Sequence, residues 1–143
     1  MPTKPTKPNK AVARSTMADV ANRLIPSMVA PLALPPDATL AQDPAGLVLA
    51  HACMSAVPPS TYRASLNALV KFEQRAALPT INVPTLCLAG EHDKTAPPEV
   101  LRRMAQKIKD AEYECIEGVG HLMSFEQEAP FHTAVLNFLS RHF

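Results

Sequence analysis

The chain has 143 residues, 47% hydrophobic and 19% charged, with a net charge of +1. That composition suits one domain with a packed core and gives no electrostatic reason to expect nucleic acid or an anionic membrane as partner. Five Phe, two Tyr and no Trp leave little for stacking on single strands, and no apolar run approaches the ~18 residues that span a bilayer.

The chain opens on MPTKPTKPNK. This Pro/Lys-rich near-repeat has no apolar h-region, so it does not read as a secretory signal. It cannot bury a core, and residues 1–15 are expected to be disordered; a basic binding tail is the sharper alternative. Cys53, Cys87 and Cys115 include no C-x-x-C pair, which argues against a zinc site or disulfide framework. No metal or cofactor is expected. Cys87 and Cys115 read as small core hydrophobes, and a reducing cytoplasm is the default compartment.

Residues 16–77 carry helical patterns. Thr16 can cap a helix with Met17, Val20, Leu24 and Met28 on one side. Pro31, Pro35 and Pro36 break the chain after it. A second helix is expected to start with Asp43 as cap and Pro44 at the first position, to run through Leu47, His51 and Met54, and to stop before Pro58-Pro59. Ser60 or Thr61 can cap a third, with Tyr62, Leu66, Leu69 and Val70 on one face. The three helices form a layer that needs something to lie on.

The pattern changes near Leu78. Val83 to Ala89 is a short apolar run ending at Gly90, which reads as a strand buried on both faces, with Pro84 tolerable only near its start. After the polar loop Glu91 to Thr95, Pro97-Pro98-Glu99 opens a helix. Its expected buried stripe is Val100, Leu101, Met104 and Ile108. Tyr113 to Glu117 reads as a second strand. Pro130 then starts a last helix with Phe131, Val135, Phe138 and Leu139 on one face. A strand–helix–strand crossover makes the two strands parallel, and two parallel strands do not form a sheet that stands alone.

In an open parallel sheet, functional side chains gather beyond the carboxyl ends of the strands. Asp93 lies four residues after Ala89, and His121 lies four residues after Glu117. The strands are neighbours, so the two side chains can meet. An Asp that accepts from one imidazole nitrogen fixes the tautomer and leaves the other nitrogen as a base. Each residue also has a plainer role: a loop Asp ahead of a helix serves as turn residue or cap, and a loop His is commonly just exposed. GVGH places two of the chain's four glycines directly ahead of His121, which suits a tight turn.

Residues 78–139, from LPTINVPTLCLAGEHDKTAPP through GVGHLMSFEQEAPF to AVLNFL, resemble the C-terminal part of an α/β-hydrolase-fold enzyme. The similarity is to the branch containing 3-oxoadipate enol-lactonases, esterases and cofactor-free haloperoxidases. VPTLCLAGEHDKTAPP resembles the family's acid loop, which implies that Asp93 is the catalytic acid. GVGH resembles its histidine loop, which implies that His121 is the base. Glu126-Gln127 and Pro130-Phe131 fit the start of the last helix, although the family more often reads E-x-P there. Residues 17–77, including VPPSTYRASLNALVKFEQRAALP, resemble the helical cap. The implied fold class is α/β: the C-terminal βαβα portion of an α/β-hydrolase sheet, preceded by a cap segment at 16–77, with residues 78–143 carrying the acid and histidine loops. The fold is expected to be incomplete.

The family's acyl transfer needs a nucleophile on a strand-to-helix elbow, G-x-S-x-G, with an oxyanion hole beside it. No G-x-S-x-G occurs in these 143 residues. Ser124 lies in the histidine's own loop, and Cys53 and Ser55 lie on a helix without an elbow. His51 and His92 lack carboxylate or Cys partners at ligand spacing, and His132 and His142 read as surface helix residues. Losing the nucleophile of such a triad removes about 10⁶ of the rate, so the chain alone is expected to be inactive. Three readings follow. In the first, the chain is the acid- and histidine-bearing half of an ester or lactone hydrolase, truncated or encoded apart from its N-terminal half. In the second, it is a non-catalytic remnant that works as an interaction protein. In the third, it is a small enzyme using the Asp/His pair alone. An open apolar edge on the Val83–Ala89 strand invites self-association or pairing with another chain. Met17, Met28, Met54 and Val57 suit either an apolar substrate pocket or packing between cap and sheet.

Overall fold

The computed structural model describes residues 15–31 and 45–143. The expected disorder of the N-terminal segment, the Pro35-Pro36 break and the Asp43-Pro44 helix start lie outside those residues.

Helix α1 spans Met17–Met28. Thr16 caps it: its hydroxyl accepts from the Asp19 N–H at 3.2 Å, and the Asp19 carboxylate accepts from the Thr16 N–H at 2.7 Å. This reciprocal box satisfies two donors that the first turn leaves orphaned. The buried stripe is Met17, Ala21, Ile25 and then Val29, while Val20, Leu24 and Met28 are half-buried. The expected face is therefore rotated by one position. The reason is the partner, α2 (Ala45–Ala56), which presents Leu47 and Ala50. Two helices approach closely where small residues meet, so Ala21 and Ala50 take the seam and bulkier neighbours flank it. Met54, Leu122 and Phe125 close this cluster.

Helix α3 spans Pro59–Lys71 and starts at a proline, with Pro58 at the cap position. Neither Ser60 nor Thr61 caps it. Proline at the first helical position needs no donor there, so a side-chain cap is dispensable. No residue of α3 is buried. Leu66, Leu69 and Val70 form an apolar face, as the spacing predicts, but they are exposed, Val70 to 86%. Tyr62, the fourth residue of the expected face, is half-buried beside Ile25, Leu122 and Phe125, so among the described residues the face is covered at its start and open from Leu66 onward. A 3₁₀ turn, Arg75–Thr80, leads onward.

Strand β1 is Leu86–Gly90, shorter than the expected Val83–Ala89 run, and Val83 is exposed. Pro84 has no N–H to give to a ladder, so pairing begins after it. Strand β2 is Glu112–Ile116, and the two pair in parallel from Leu86 opposite Glu112 to Gly90 opposite Ile116. They form a two-stranded sheet. Cys87 and Ala89 are buried but Leu86 and Leu88 are half-buried, so β1 is fully covered on one face, not both. Helix α4, Pro98–Ala105, supplies that cover. Leu101, Met104, Ala105 and Ile108 face the sheet, whereas Val100 is exposed. Burial pushes the Cys87 thiol pKa up.

A four-residue helix, α5 (Met123–Glu126), follows β2 and packs between α2 and the last helix, α6 (Glu128–His142). Helix α6 begins two residues before Pro130, which falls in the first turn where no intrahelical donor is required. Ala134 and Phe138 are its buried residues; Leu139 is exposed.

Candidate catalytic pair

The parallel pairing continues past the strand ends. The Glu91 N–H donates to the Ile116 carbonyl at 2.9 Å, and the His92 N–H to the Val119 carbonyl at 2.8 Å. The loops after β1 and β2 therefore run side by side, and Asp93 and His121 face each other across them. Asp93 Oδ2 lies 2.8 Å from His121 Nδ1. Asp93 Oδ1 accepts from the N–H groups of Thr95 and Ala96 at 2.8 and 2.9 Å. The plainer role of Asp93, a turn-and-cap residue, is thus also real: one oxygen holds the turn into α4 and the other holds the histidine.

With both carboxylate oxygens placed as acceptors, Nδ1 is the ring nitrogen that carries the proton. Nε2 is then left with its lone pair for a reacting group. The Asp93 side chain is 3% exposed and that of His121 is 33% exposed. The acid is withdrawn from water while the imidazole edge remains reachable.

The histidine loop is bent by glycine at one position and compressed at another. Gly118 has φ +69°, a left-handed conformation that favours glycine. Gly120 is squeezed against α1: a Cβ there would stand 2.5 Å from the Met28 carbonyl oxygen and 2.9 Å from the Ala30 nitrogen. The His121 N–H donates to that same Met28 carbonyl at 2.6 Å. Glu126, noted in the sequence only as the start of a helix, accepts from the N–H groups of Gly120 and Leu122.

None of the other candidates shares the Asp93–His121 hydrogen bond. Ser55 is 3.5 Å from His51 Nδ1, and His51 Nε2 is 3.0 Å from Asn22 Oδ1. Cys53 is exposed on α2 and Ser124 is exposed on α5. His92 does have a carboxylate neighbour, Glu91, at 3.7 Å; adjacency in the loop brings them together. His132 sits 3.5 Å from Glu128 one turn earlier. His142 is more than a surface residue: its Nε2 lies 2.7 Å from Glu112 Oε1 at the start of β2, and Arg141 donates to the other oxygen of that carboxylate. Among the described residues no group of three His, Cys, Asp or Glu could hold a metal ion, and no helix is long and apolar enough to cross a membrane. Of the four residues expected to suit an apolar pocket, Met54 and Val57 line one, a cavity of about 300 Å³ shared with Ile25, Tyr62, Leu122 and Phe125.

The Asp93–His121 contact lies beyond the carboxyl ends of a parallel strand pair, where open α/β sheets gather their functional loops. The profile of the alpha/beta hydrolase fold family matches residues 12–128, and the chain belongs to that family. It is 36% identical over 64 residues to a 2-hydroxy-6-oxononadienedioate/2-hydroxy-6-oxononatrienedioate hydrolase of Pseudomonas sp, a match covering 45% of this chain and 23% of that protein. It is also 36% identical over 74 residues to polyketide synthase ThaQ of Burkholderia thailandensis, covering 52% of this chain and 4% of that one. Its structure is similar to that of an enol-lactonase from Burkholderia xenovorans LB400, with a TM-score of 0.74 at 24% identity, covering 87% of this chain and 45% of the enzyme. The chain thus spans under a quarter of these two curated relatives and less than half of the solved lactonase.

Proposed function

We propose that this chain is the acid- and base-bearing C-terminal half of a hydrolase acting on carboxylic esters or lactones. The observation that carries the proposal is the 2.8 Å hydrogen bond between Asp93 and His121 beyond the ends of β1 and β2. In this reading Asp93 holds the imidazole in its Nδ1–H tautomer. Nε2 takes the proton of a nucleophile supplied by the N-terminal half of the fold and later returns it to the leaving group. The nucleophile sits on a G-x-S-x-G elbow in that half, with the oxyanion donors beside it. The apolar cavity next to Leu122 and Phe125 suits an apolar acyl group. The Pseudomonas relative is a hydrolase, which supports hydrolysis as the reaction class; the ester or lactone class follows the enol-lactonase whose fold this chain shares.

β1 pairs with one described strand, and the apolar face of α3 is exposed. Both are surfaces that the rest of the sheet would cover. The same two features favour a second reading, a non-catalytic remnant that works by association.

The test is reconstitution. The sequence encoded upstream of this chain, or in a neighbouring gene, is expected to carry strand–G-x-S-x-G–helix. Co-expressed with that half, the chain is expected to hydrolyse p-nitrophenyl esters, and His121→Ala abolishes the activity. A complex that forms but stays inert toward esters and lactones supports the remnant. Fluorophosphonate labelling of a serine in the 143-residue chain alone overturns the assignment of the nucleophile to the other half.

A further inference from the structure

The backbone around His121 is held by a single carboxylate. Glu126 accepts from the Gly120 N–H at 3.0 and 2.9 Å with its two oxygens, and from the Leu122 N–H at 3.1 Å. The same carboxylate accepts from the Ala30 N–H at 2.7 Å, 96 residues away in the chain. Between Gly120 and Leu122, the His121 N–H goes to the Met28 carbonyl at 2.6 Å. Three consecutive amides of the base-bearing loop are therefore committed, two to Glu126 and one to the end of α1. Glu126 is half-buried, and none of the described ion pairs includes it.

Nothing in the proton transfer itself calls for this group. We infer that Glu126 is a positioning residue: its carboxylate sets the backbone of residues 120–122, and so the aim of the His121 ring at Asp93, and it ties the Met28–Ala30 segment to the same point. The inference rests on the reading of His121 as the base. Its chemistry is specific to a carboxylate. Two oxygens with about four lone-pair sites can serve three N–H donors at once. Glutamine offers one oxygen, and its NH₂ group would face donors. Charge-assisted hydrogen bonds from backbone amides are also the stronger kind. The tie to Ala30 gives the clamp a second consequence. Helix α1 and the histidine loop share one anchor, so a shift of α1 is transmitted to the base without passing through the sheet.

The test needs neither nucleophile nor substrate. In the 143-residue chain, nuclear magnetic resonance of the His121 ring is expected to show the Nδ1–H tautomer, with its proton shifted far downfield by Asp93. In Glu126→Ala, which removes the acceptors of all three amides, that proton signal is expected to be lost to exchange and the ring nitrogens to move toward a tautomer mixture. The amide signals of β1, β2 and α4 are expected to stay in place. Glu91→Gln is the control: Glu91 accepts from the Gly118 N–H at 2.9 Å but touches none of residues 120–122, so its His121 spectrum is expected to match the unaltered chain. A Glu126→Ala chain that keeps the His121 signature with the sheet intact overturns the inference. Should that variant unfold altogether, amide exchange in the unaltered chain decides. Ala30, Gly120 and Leu122 are expected to be protected as a set, and exchange of any one at the rate of an open loop overturns the clamp. Failure of the reconstituted hydrolase would leave these signatures untouched, so the two results separate.

Discussion

Asp93 divides its carboxylate between a turn and a histidine: Oδ1 holds the N–H groups of Thr95 and Ala96, and Oδ2 lies 2.8 Å from His121 Nδ1. The division decides what an amide would do in its place. In Asp93→Asn the single oxygen can keep the two backbone donors, and the NH₂ group then faces His121. Nδ1 must become an acceptor, so the ring proton moves to Nε2, the nitrogen needed as base. The expected result in the reconstituted enzyme is a loss of about 10⁴-fold in kcat, while the fold is retained because the turn is retained. Ring ¹⁵N shifts of the variant chain check the tautomer directly. A His121 that stays protonated at Nδ1 in Asp93→Asn would sink the argument.

Gly120→Ala tests how tightly the histidine loop is pressed on α1. The added methyl would stand 2.5 Å from the Met28 oxygen and 2.8 Å from the Val29 carbonyl carbon. Both are backbone atoms, and the same segment holds the His121 and Ala30 hydrogen bonds. Neither side can yield without losing them. The expected cost is about 1–3 kcal/mol, read as a lower urea midpoint at unchanged slope. A midpoint equal to that of the unaltered chain would mean that the loop and α1 do not press together as described.

How much of this was legible beforehand differs by element, for physical reasons. β1, the loop to Asp93 and the His121 turn announce themselves locally: a short apolar run, a glycine stop and a polar loop ahead of a proline-started helix. The face of α1 did not, because the helix seam is chosen by close approach at Ala21 and Ala50, not by the largest side chains. The exposure of α3 was illegible in principle, since spacing says which face is apolar and never whether a layer covers it. Glu126 looks like an ordinary acid near a helix terminus. Its role depends on Ala30, 96 residues distant; the one local hint is that it ends a four-residue helix shortly after His121.

The exposed face of α3 separates folding of the chain from its completion. Leu69 and Val70 are 68% and 86% exposed. Replacing both with serine is expected to change the stability of the isolated chain by no more than about 0.5 kcal/mol per site, as for other surface substitutions. The same double variant is expected to weaken capture of the N-terminal half, measured by titration calorimetry or co-purification. Unchanged capture would remove α3 from the proposed interface and leave as its main element the edge of β1 that no described strand pairs with.

Glu112 sets an acid limit on the last helix. Its carboxyl is held below the usual carboxylate range, first by the hydrogen bond from His142 and then by that from Arg141. A carboxyl whose pKa is lower in the folded than in the unfolded chain contributes stability above its unfolded value, and that contribution is lost as pH falls through its folded value. The three side chains are all partly exposed, so the effect is modest and screened by salt. Glu112→Gln removes the titrating group while keeping one acceptor. The unaltered chain is therefore expected to melt above Glu112→Gln near neutral pH. Its advantage should shrink as the pH drops below roughly 4.5, the ordinary range of a glutamate. Melting curves of both chains from pH 7 to pH 3 check this at low salt. A gap that stays constant across that range would show that the α6 end is held by packing of Phe138 and Ala134 and not by the charge on Glu112.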